Sequence, residues 1–177
     1  VAIIDTAYSE EYGVREVVNK APEVMAKIRY VEEKKLMQRF LYHVGHDTGL
    51  AVYGERAVRK CLKMGAVDVL LLSEDLDLVR VKVRCSACGY EENKVMRSRE
   101  VQRFKDSLLG AKCPKCGQTT LKLEEVRELI EDLAELAEQM GTRVEVISSA
   151  TEEGRMLKET FGGVAGILRF APSGYLA

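Results

Sequence analysis

Two short cysteine units constrain this chain more than any other feature: Cys85-Ser-Ala-Cys88-Gly89 and Cys113-Pro-Lys-Cys116-Gly117. Two residues between cysteines let both thiolates reach one ion from a tight turn. The glycine after each pair supplies the positive φ that such a turn calls for. Two knuckles together offer four sulfur ligands, the closed tetrahedral set of a structural Zn2+ site with no open position for catalysis. The 24 residues between the pairs exceed the roughly 15–20 of a compact ribbon. A zinc-ribbon-like insert with an extended loop is therefore expected over 85–120. Two metal-free pairs, reduced or oxidised, remain the alternative. Lys82, Arg84, Lys112 and Lys115 flank the site and are expected to offset the excess negative charge of a tetrathiolate. Cys61 falls on the apolar side of a helix and reads as a small core residue. His43 and His46 surround a helix end, where a local role is expected rather than metal ligation.

The rest of the composition narrows the class. Of 177 residues, 46% are hydrophobic and 31% charged, with a net charge of −1. That suits a folded globular chain and gives no overall attraction to nucleic acid. One basic stretch remains: Lys94, Arg97, Arg99, Arg103, Lys105, Lys112 and Lys115, against Glu100 and Asp106. It reads equally as an rRNA contact or as a solvated loop. No apolar run reaches the roughly 20 residues of a membrane span, so no membrane partner is expected and the cytoplasm is the expected location. Clustered thiols in such a compartment point to metal rather than disulfides.

The periodicity outlines an α/β chain. Residues 2–5 read as a short strand, followed by helices near 13–20 and 22–44 with Pro22 opening the second. From residue 50 strands and helices alternate. Leu50–Tyr53 is a strand, and a helix opening at Gly54 buries Val58, Cys61 and Leu62. Gly65 ends that helix. Ala66–Leu72 is an apolar strand covered on both faces. Val79, Val81 and Val83 alternate with Arg80, Lys82 and Arg84, as in a strand with one buried face. After the cysteines, a helix is expected from Val126 through Leu129, Leu133 and Ala137 to Met140. Its acidic side, Glu124, Glu125, Glu128, Glu131, Asp132, Glu135 and Glu138, reads as solvated surface. Arg143–Ile147 is a strand. Ser149 with Glu152 reads as a capping box on a short helix ending near Thr160. Gly162-Gly163 turns into a last strand, Val164–Phe170. No phosphate-binding loop and no nucleophile elbow is present, so the chain is read as a binding domain rather than an enzyme.

Several strings together resemble the class-I peptide chain release factors of archaea and eukaryotes. They are Val31-Glu-Glu-Lys-Lys-Leu-Met37, Asp47-Thr-Gly49, Tyr53-Gly54, Met64-Gly-Ala-Val-Asp-Val-Leu-Leu-Leu-Ser-Glu-Asp-Leu76 and Phe161-Gly-Gly-Val-Ala-Gly-Ile-Leu-Arg-Phe170. The cysteine knuckles resemble the archaeal branch. The resemblance implies a translation-termination factor's C-terminal domain, a helix–sheet–helix sandwich similar to the kink-turn-binding ribosomal proteins. It implies residues 1–25 as the tail of a middle domain, 26–84 and 121–177 as the partner-binding domain, and 85–120 as a zinc minidomain. The partners it implies are an elongation-factor-type translational GTPase, an ABC-type ribosome-recycling ATPase and, within the full-length protein, the ribosome. Docking is implied near Glu55 and Arg59 and at Phe161, Gly162 and Gly163, with Phe161 as an exposed anchor. The Gly-Gly-Gln motif that triggers peptidyl-tRNA hydrolysis in that family is absent, since Val164 follows Gly162-Gly163. The competing readings are a Pelota-type rescue-factor domain, a kink-turn RNA-binding module and an enzyme with an unseen site. In the RNA-binding module Gly-x-Asn-Glu would stand where this chain has Gly54-Glu-Arg-Ala.

Overall fold

The computed structural model describes residues 11–172. The chain divides into two compact units, residues 1–48 and 49–177.

The first unit is described by helix α1, Glu11–Gly45. A break at Pro22 is not seen: the helix runs through it. Proline lacks the N–H that would bond the carbonyl of Val18, and its ring crowds that carbonyl; the helical residues on both sides carry the turn across this local cost. The strand expected at residues 2–5 lies outside the described residues. Glu33, Met37 and Phe40 are buried, one face of the helix at i, i+4, i+7. The helix end is closed locally. His46 Nδ1 lies 2.9 Å from the Tyr42 carbonyl and its ring stacks on Tyr42. His43 Nδ1 lies 2.9 Å from Thr48 Oγ1. Both histidines have the helix-end role expected of them.

The second unit holds two sheets. The first has strands β1 (Ala51–Tyr53), β7 (Val164–Leu168), β2 (Val67–Ser73) and β6 (Arg143–Ile147), in that spatial order. β2 and β6 are parallel; β7 runs antiparallel to both β1 and β2. Helices α2 (Glu55–Lys63) and α4 (Leu129–Gln139) pack on each other and on this sheet. They bury Val58, Cys61, Leu62, Leu129, Leu133 and Ala137 with Leu70 and Leu72 of β2 in one cluster. Helix α5 (Glu152–Phe161) packs on β2 and β7. Every residue of β7 is buried, as a strand flanked on both faces requires. Cys61 is fully buried in the core, as its position on the helix suggested. Gly65 also ends α2 as expected: its N–H donates to Leu62 and the next N–H, of Ala66, donates to Cys61. This double bond pattern closes the last helical turn.

The second sheet is antiparallel, with β3 (Val79–Cys85) between β4 (Glu91–Met96) and β5 (Leu121–Glu128). Thus residues 79–84 are hydrogen-bonded to the cysteine segment, not to the α/β sheet. A short 3-10 turn (Ser98–Glu100) and helix α3 (Val101–Ser107) fill the long link between the cysteine pairs. The helix expected from Val126 starts only at Leu129, and Glu124, Glu125 and Glu128 lie on a strand. Pairing of β3 with β5 shifts register between Lys82 and Val83, which leaves Glu124 as an extra residue on β5. The apolar positions 121, 123 and 126 are consequently spaced by two and then three, which mimics a helical stripe. The expected capping box also differs. Thr151 is the N-cap and accepts from Gly154 N–H at 2.9 Å. Ser149 donates instead to Asp75 Oδ2 at 2.6 Å, and Glu74 Oε1 accepts from the Ser149 N–H at 2.8 Å.

Candidate metal centre and docking surface

The two cysteine knuckles are built alike. In each, the first cysteine's carbonyl accepts from the glycine four residues on: Gly89 N–H to Cys85 at 2.9 Å, and Gly117 N–H to Cys113 at 2.8 Å. In each, the first cysteine's own N–H reaches across the turn, Cys85 to the Tyr90 carbonyl and Cys113 to the Gln118 carbonyl, both at 2.8 Å. The glycines sit at φ 69° and 72°, the left-handed region where a side chain would strain the turn. β3 delivers Cys85 at its end, and β5 begins just after the second knuckle.

The four sulfurs lie within 4.8 Å of one another. Cys85 Sγ is 3.7 Å from Cys116 Sγ, and Cys88 Sγ is 3.7 Å from Cys113 Sγ. A regular tetrahedron with zinc–sulfur bonds of about 2.3 Å has edges of roughly 3.8 Å. The donor set and its spacing therefore fit a tetrahedral dication. Electrostatics points the same way. The Thr120 hydroxyl, 3.1 Å from Cys85 Sγ, leads the groups that hold the Cys85 thiol down to about 6; backbone N–H groups of Cys88 and Ala87 assist, and burial opposes them. The Tyr90 N–H favours the Cys88 thiolate, but burial and the neighbouring Cys116, Cys85 and Cys113 outweigh it and push that thiol up to about 12. The Cys85 thiolate is favoured, while burial and the neighbouring cysteines disfavour a second charge at Cys88. A cation among the four sulfurs removes that conflict. Lys82 and Arg84 do not face the thiolates as expected. Both pair with Glu91 and Glu124, because alternation places them on the face of β3 opposite Cys85.

The residues expected to dock a partner divide into two groups. Phe161 is not exposed: only 8% of it reaches solvent. It ends α5 where the chain turns back into the fully buried β7, so its ring is drawn into the layer interior. Its visible neighbour is Tyr53, 53% exposed, whose ring meets Phe161 edge-on with centroids 5.2 Å apart. Gly162 is exposed and Gly163 is buried. Glu55 and Arg59 are not open surface either. Arg59 Nε donates to Glu55 at 2.5 Å and Arg59 Nη2 donates to Asp132 at 2.6 Å. Arg80 Nε donates to the other Asp132 oxygen at 2.6 Å.

Asp132, read in the sequence as part of a solvated acidic face, is thus a nearly buried hub that ties α4 to α2 and to β3. Burial alone would lower the Arg59 pKa, but the bonds and charges of Glu55 and Asp132 hold it above its ordinary value. A signal for this was present. Position 132 falls on the same stripe as Leu129, Leu133 and Leu136, the buried side of the helix.

The family model described as eRF1 domain 3 matches residues 30–172. Peptide chain release factor subunit 1 of Pyrococcus abyssi is 46% identical over 170 residues, covering 96% of this chain and 40% of that protein. The chain therefore spans about two fifths of the length of the curated relative it matches. Among solved structures, the C-terminal domain of the peptide chain release factor from Methanosarcina mazei superposes with a TM-score of 0.79 at 36% identity, covering 93% of this chain and 98% of that one. The Archaeoglobus fulgidus Pelota structure shares the fold, with a TM-score of 0.55 at 18% identity over 97% of this chain and 40% of that one. The match to the family model over most of its length, and to a release-factor subunit over nearly all of it, establishes that this chain belongs to the eRF1 domain 3 family, the C-terminal domain of class-I peptide chain release factors.

Proposed function

We propose that this chain serves translation termination as a docking domain: it recruits an elongation-factor-type translational GTPase and, at another stage, an ABC-type ribosome-recycling ATPase. On this reading it breaks no bond itself. Stop-codon recognition and Gly-Gly-Gln-dependent hydrolysis belong to other domains of the parent factor, and the work takes place on the ribosome in the cytoplasm. The observation that carries the reading is the 46% identity to the release-factor subunit over 96% of the chain. Among the described residues no helix is long and apolar enough to cross a membrane, and a membrane partner plays no part in the reading. The mixed sheet with α2 and α4 on it and α5 beside it supports a sandwich of the kink-turn-binding kind. The four-sulfur cluster supports a structural Zn2+ in a ribbon-like minidomain held by Cys85, Cys88, Cys113 and Cys116. Zinc there would supply folding energy, and the chain's own residues do the rest: two knuckle turns aim the sulfurs, and Thr120 and backbone N–H groups stabilise thiolate charge.

For the GTPase we propose the end of the sheet where Tyr53 and Gly162 are exposed over Phe161 and Gly163, with Glu55 and Arg59 acting from beneath by fixing α2. Tyrosine at such a place is a good interface anchor, because it offers a large rigid contact with a polar tip. The test is a pull-down of the purified archaeal GTPase with this chain, with metal analysis of the same sample. Tyr53→Ala is expected to weaken capture about tenfold or more while leaving the melting temperature nearly unchanged. Phe161→Ala is expected to cost about 3 kcal/mol of stability instead, as a buried ring does. Undiminished capture by Tyr53→Ala would remove this end of the sheet from the interface. Failure of the intact chain to bind either the GTPase or the ATPase would end the docking reading.

A further inference from the structure

The charge on this molecule is unevenly placed. The chain as a whole carries −1, yet a cleft of about 1340 Å3 among α2, α4, β4 and α3 is lined by seven cationic side chains against four carboxylates. This volume exceeds the roughly 300–1,000 Å3 of ordinary small-molecule pockets, so the cleft suits a segment of chain better than a metabolite. Its walls have distinct origins. On α2, Arg56, Lys60 and Lys63 are all exposed and line it; at i, i+4 and i+7 they form one ridge of the helix. Among the described residues no carboxylate pairs with Arg56 or Lys63, whereas Arg59, one turn inward, is engaged by Glu55 and Asp132. Opposite, Lys94 of β4 sits over the Phe104 ring, 5.4 Å from its centroid. The lining also includes apolar residues, Val95, Met96 and Leu136, and Val95 is 36% exposed.

A cationic ridge on α2 beside exposed apolar side chains selects for a ligand that has both negative charge and hydrophobic side chains. We propose that this cleft is a docking site for an acidic, partly apolar peptide segment of a partner protein. Its acidic residues would lie along the Arg56–Lys63 ridge and its apolar residues would cover Val95 and Leu136. Single-stranded RNA is the less suitable occupant. It binds by stacking bases on open aromatic faces as well as by phosphate contacts, and Phe104, the aromatic residue in this lining, already has Lys94 over its ring. Each of the four carboxylates in the lining is paired with a cation: Asp132 with Arg59 and Arg80, Glu55 with Arg59, Glu92 with Lys94 and Glu135 with Arg127, which leaves Arg56 and Lys63 of the ridge as the uncompensated charge among the described residues. The Asp132 bonds hold the cleft's inner wall, α2 against α4 and β3, in one arrangement before any ligand arrives. The inference stands on the cleft alone and does not depend on the GTPase or the ATPase.

The experiment uses the whole chain and a fluorescein-labelled dodecapeptide of mixed Glu, Asp and Leu, read by fluorescence polarisation. Two controls accompany it: the same peptide with Gln and Asn in place of Glu and Asp, and a labelled single-stranded RNA dodecamer. The acidic peptide is expected to bind about tenfold or more tightly than its amide counterpart, with affinity falling as salt is raised. The double variant Arg56→Glu, Lys63→Glu is expected to abolish most of that gain. Replacement of an exposed cation on α5, Arg155→Glu, is expected to leave it nearly intact. Circular dichroism of each variant confirms that the fold is retained. Equal binding of the acidic and amide peptides, equal damage from Arg155→Glu, or preferential binding of the RNA each overturns the proposal.

Discussion

Gly162 and Gly163 are neighbours with the same left-handed backbone, at φ 72° and 77°, and opposite surroundings. A Cβ added at Gly162 meets nothing within 4 Å, whereas at Gly163 it falls 2.8 Å from Leu76 Cδ1 and 3.4 Å from Ser73 Cβ. The sequence marks both as a turn, and the resemblance marks both as docking residues, but one of them is a packing requirement. Gly162→Ala carries only the left-handed penalty, about 1 kcal/mol. Gly163→Ala adds a clash in a closed layer, for a combined cost of about 2–4 kcal/mol. Urea unfolding of the two variants measures the difference. Equal destabilisation would mean that Leu76 swings aside freely and that the buried position is not tight.

At the scale of elements, what the sequence conveyed depended on whether a local period survived in the fold. β2 and β7 were legible because unbroken apolar runs have few alternatives. β3 was legible because its alternation is clean. β5 was not, because the bulge at Glu124 breaks the two-residue period and the strand passes directly into α4, so one acidic stretch serves two elements. The clustering of the four cysteines was legible: their spacing calls for two knuckle turns, and such turn geometry needs only local residues. The surroundings of the expected docking residues were not, because burial of Phe161 and capture of Arg59 are decided by partners far along the chain. Asp132 is the sharpest case, with its partners 73 and 52 residues away. Asp132→Asn keeps the shape but leaves two guanidinium groups facing each other without their shared anion. A fully buried pair broken in this way costs about 3–5 kcal/mol; Arg59 and Arg80 keep some contact with water, so about 2–3 kcal/mol is expected. Thermal or urea unfolding checks it. A loss under about 0.5 kcal/mol would place Asp132 in the class of weak surface pairs.

For the second unit as a whole, the two sheets rest on different physics. The α/β sheet has a contiguous apolar core under α2 and α4 and can hold itself together by burial. The β3–β4–β5 sheet buries mainly Val79, Val81, Val83 and Cys85. Its opposite face is a ladder of exposed ion pairs around Lys82, Arg84, Glu91 and Glu124, each worth only a fraction of a kcal/mol. Such a sheet lacks the core to fold alone, and a metal at the four sulfurs, contributing on the order of 10 kcal/mol, is what would hold its far end. Removal of metal with a chelator is accordingly expected to melt β4, α3 and both cysteine turns. The α/β sheet and its helices are expected to keep their structure. The Asp132 bonds to Arg80 should hold the base of β3 in place even then. Hydrogen exchange resolved by segment is the measurement: protection should vanish over about residues 85–120 and persist in β2, β7 and α4. Simultaneous loss of protection everywhere would mean that the two sheets fold as one unit and that the metal, not the apolar core, governs both.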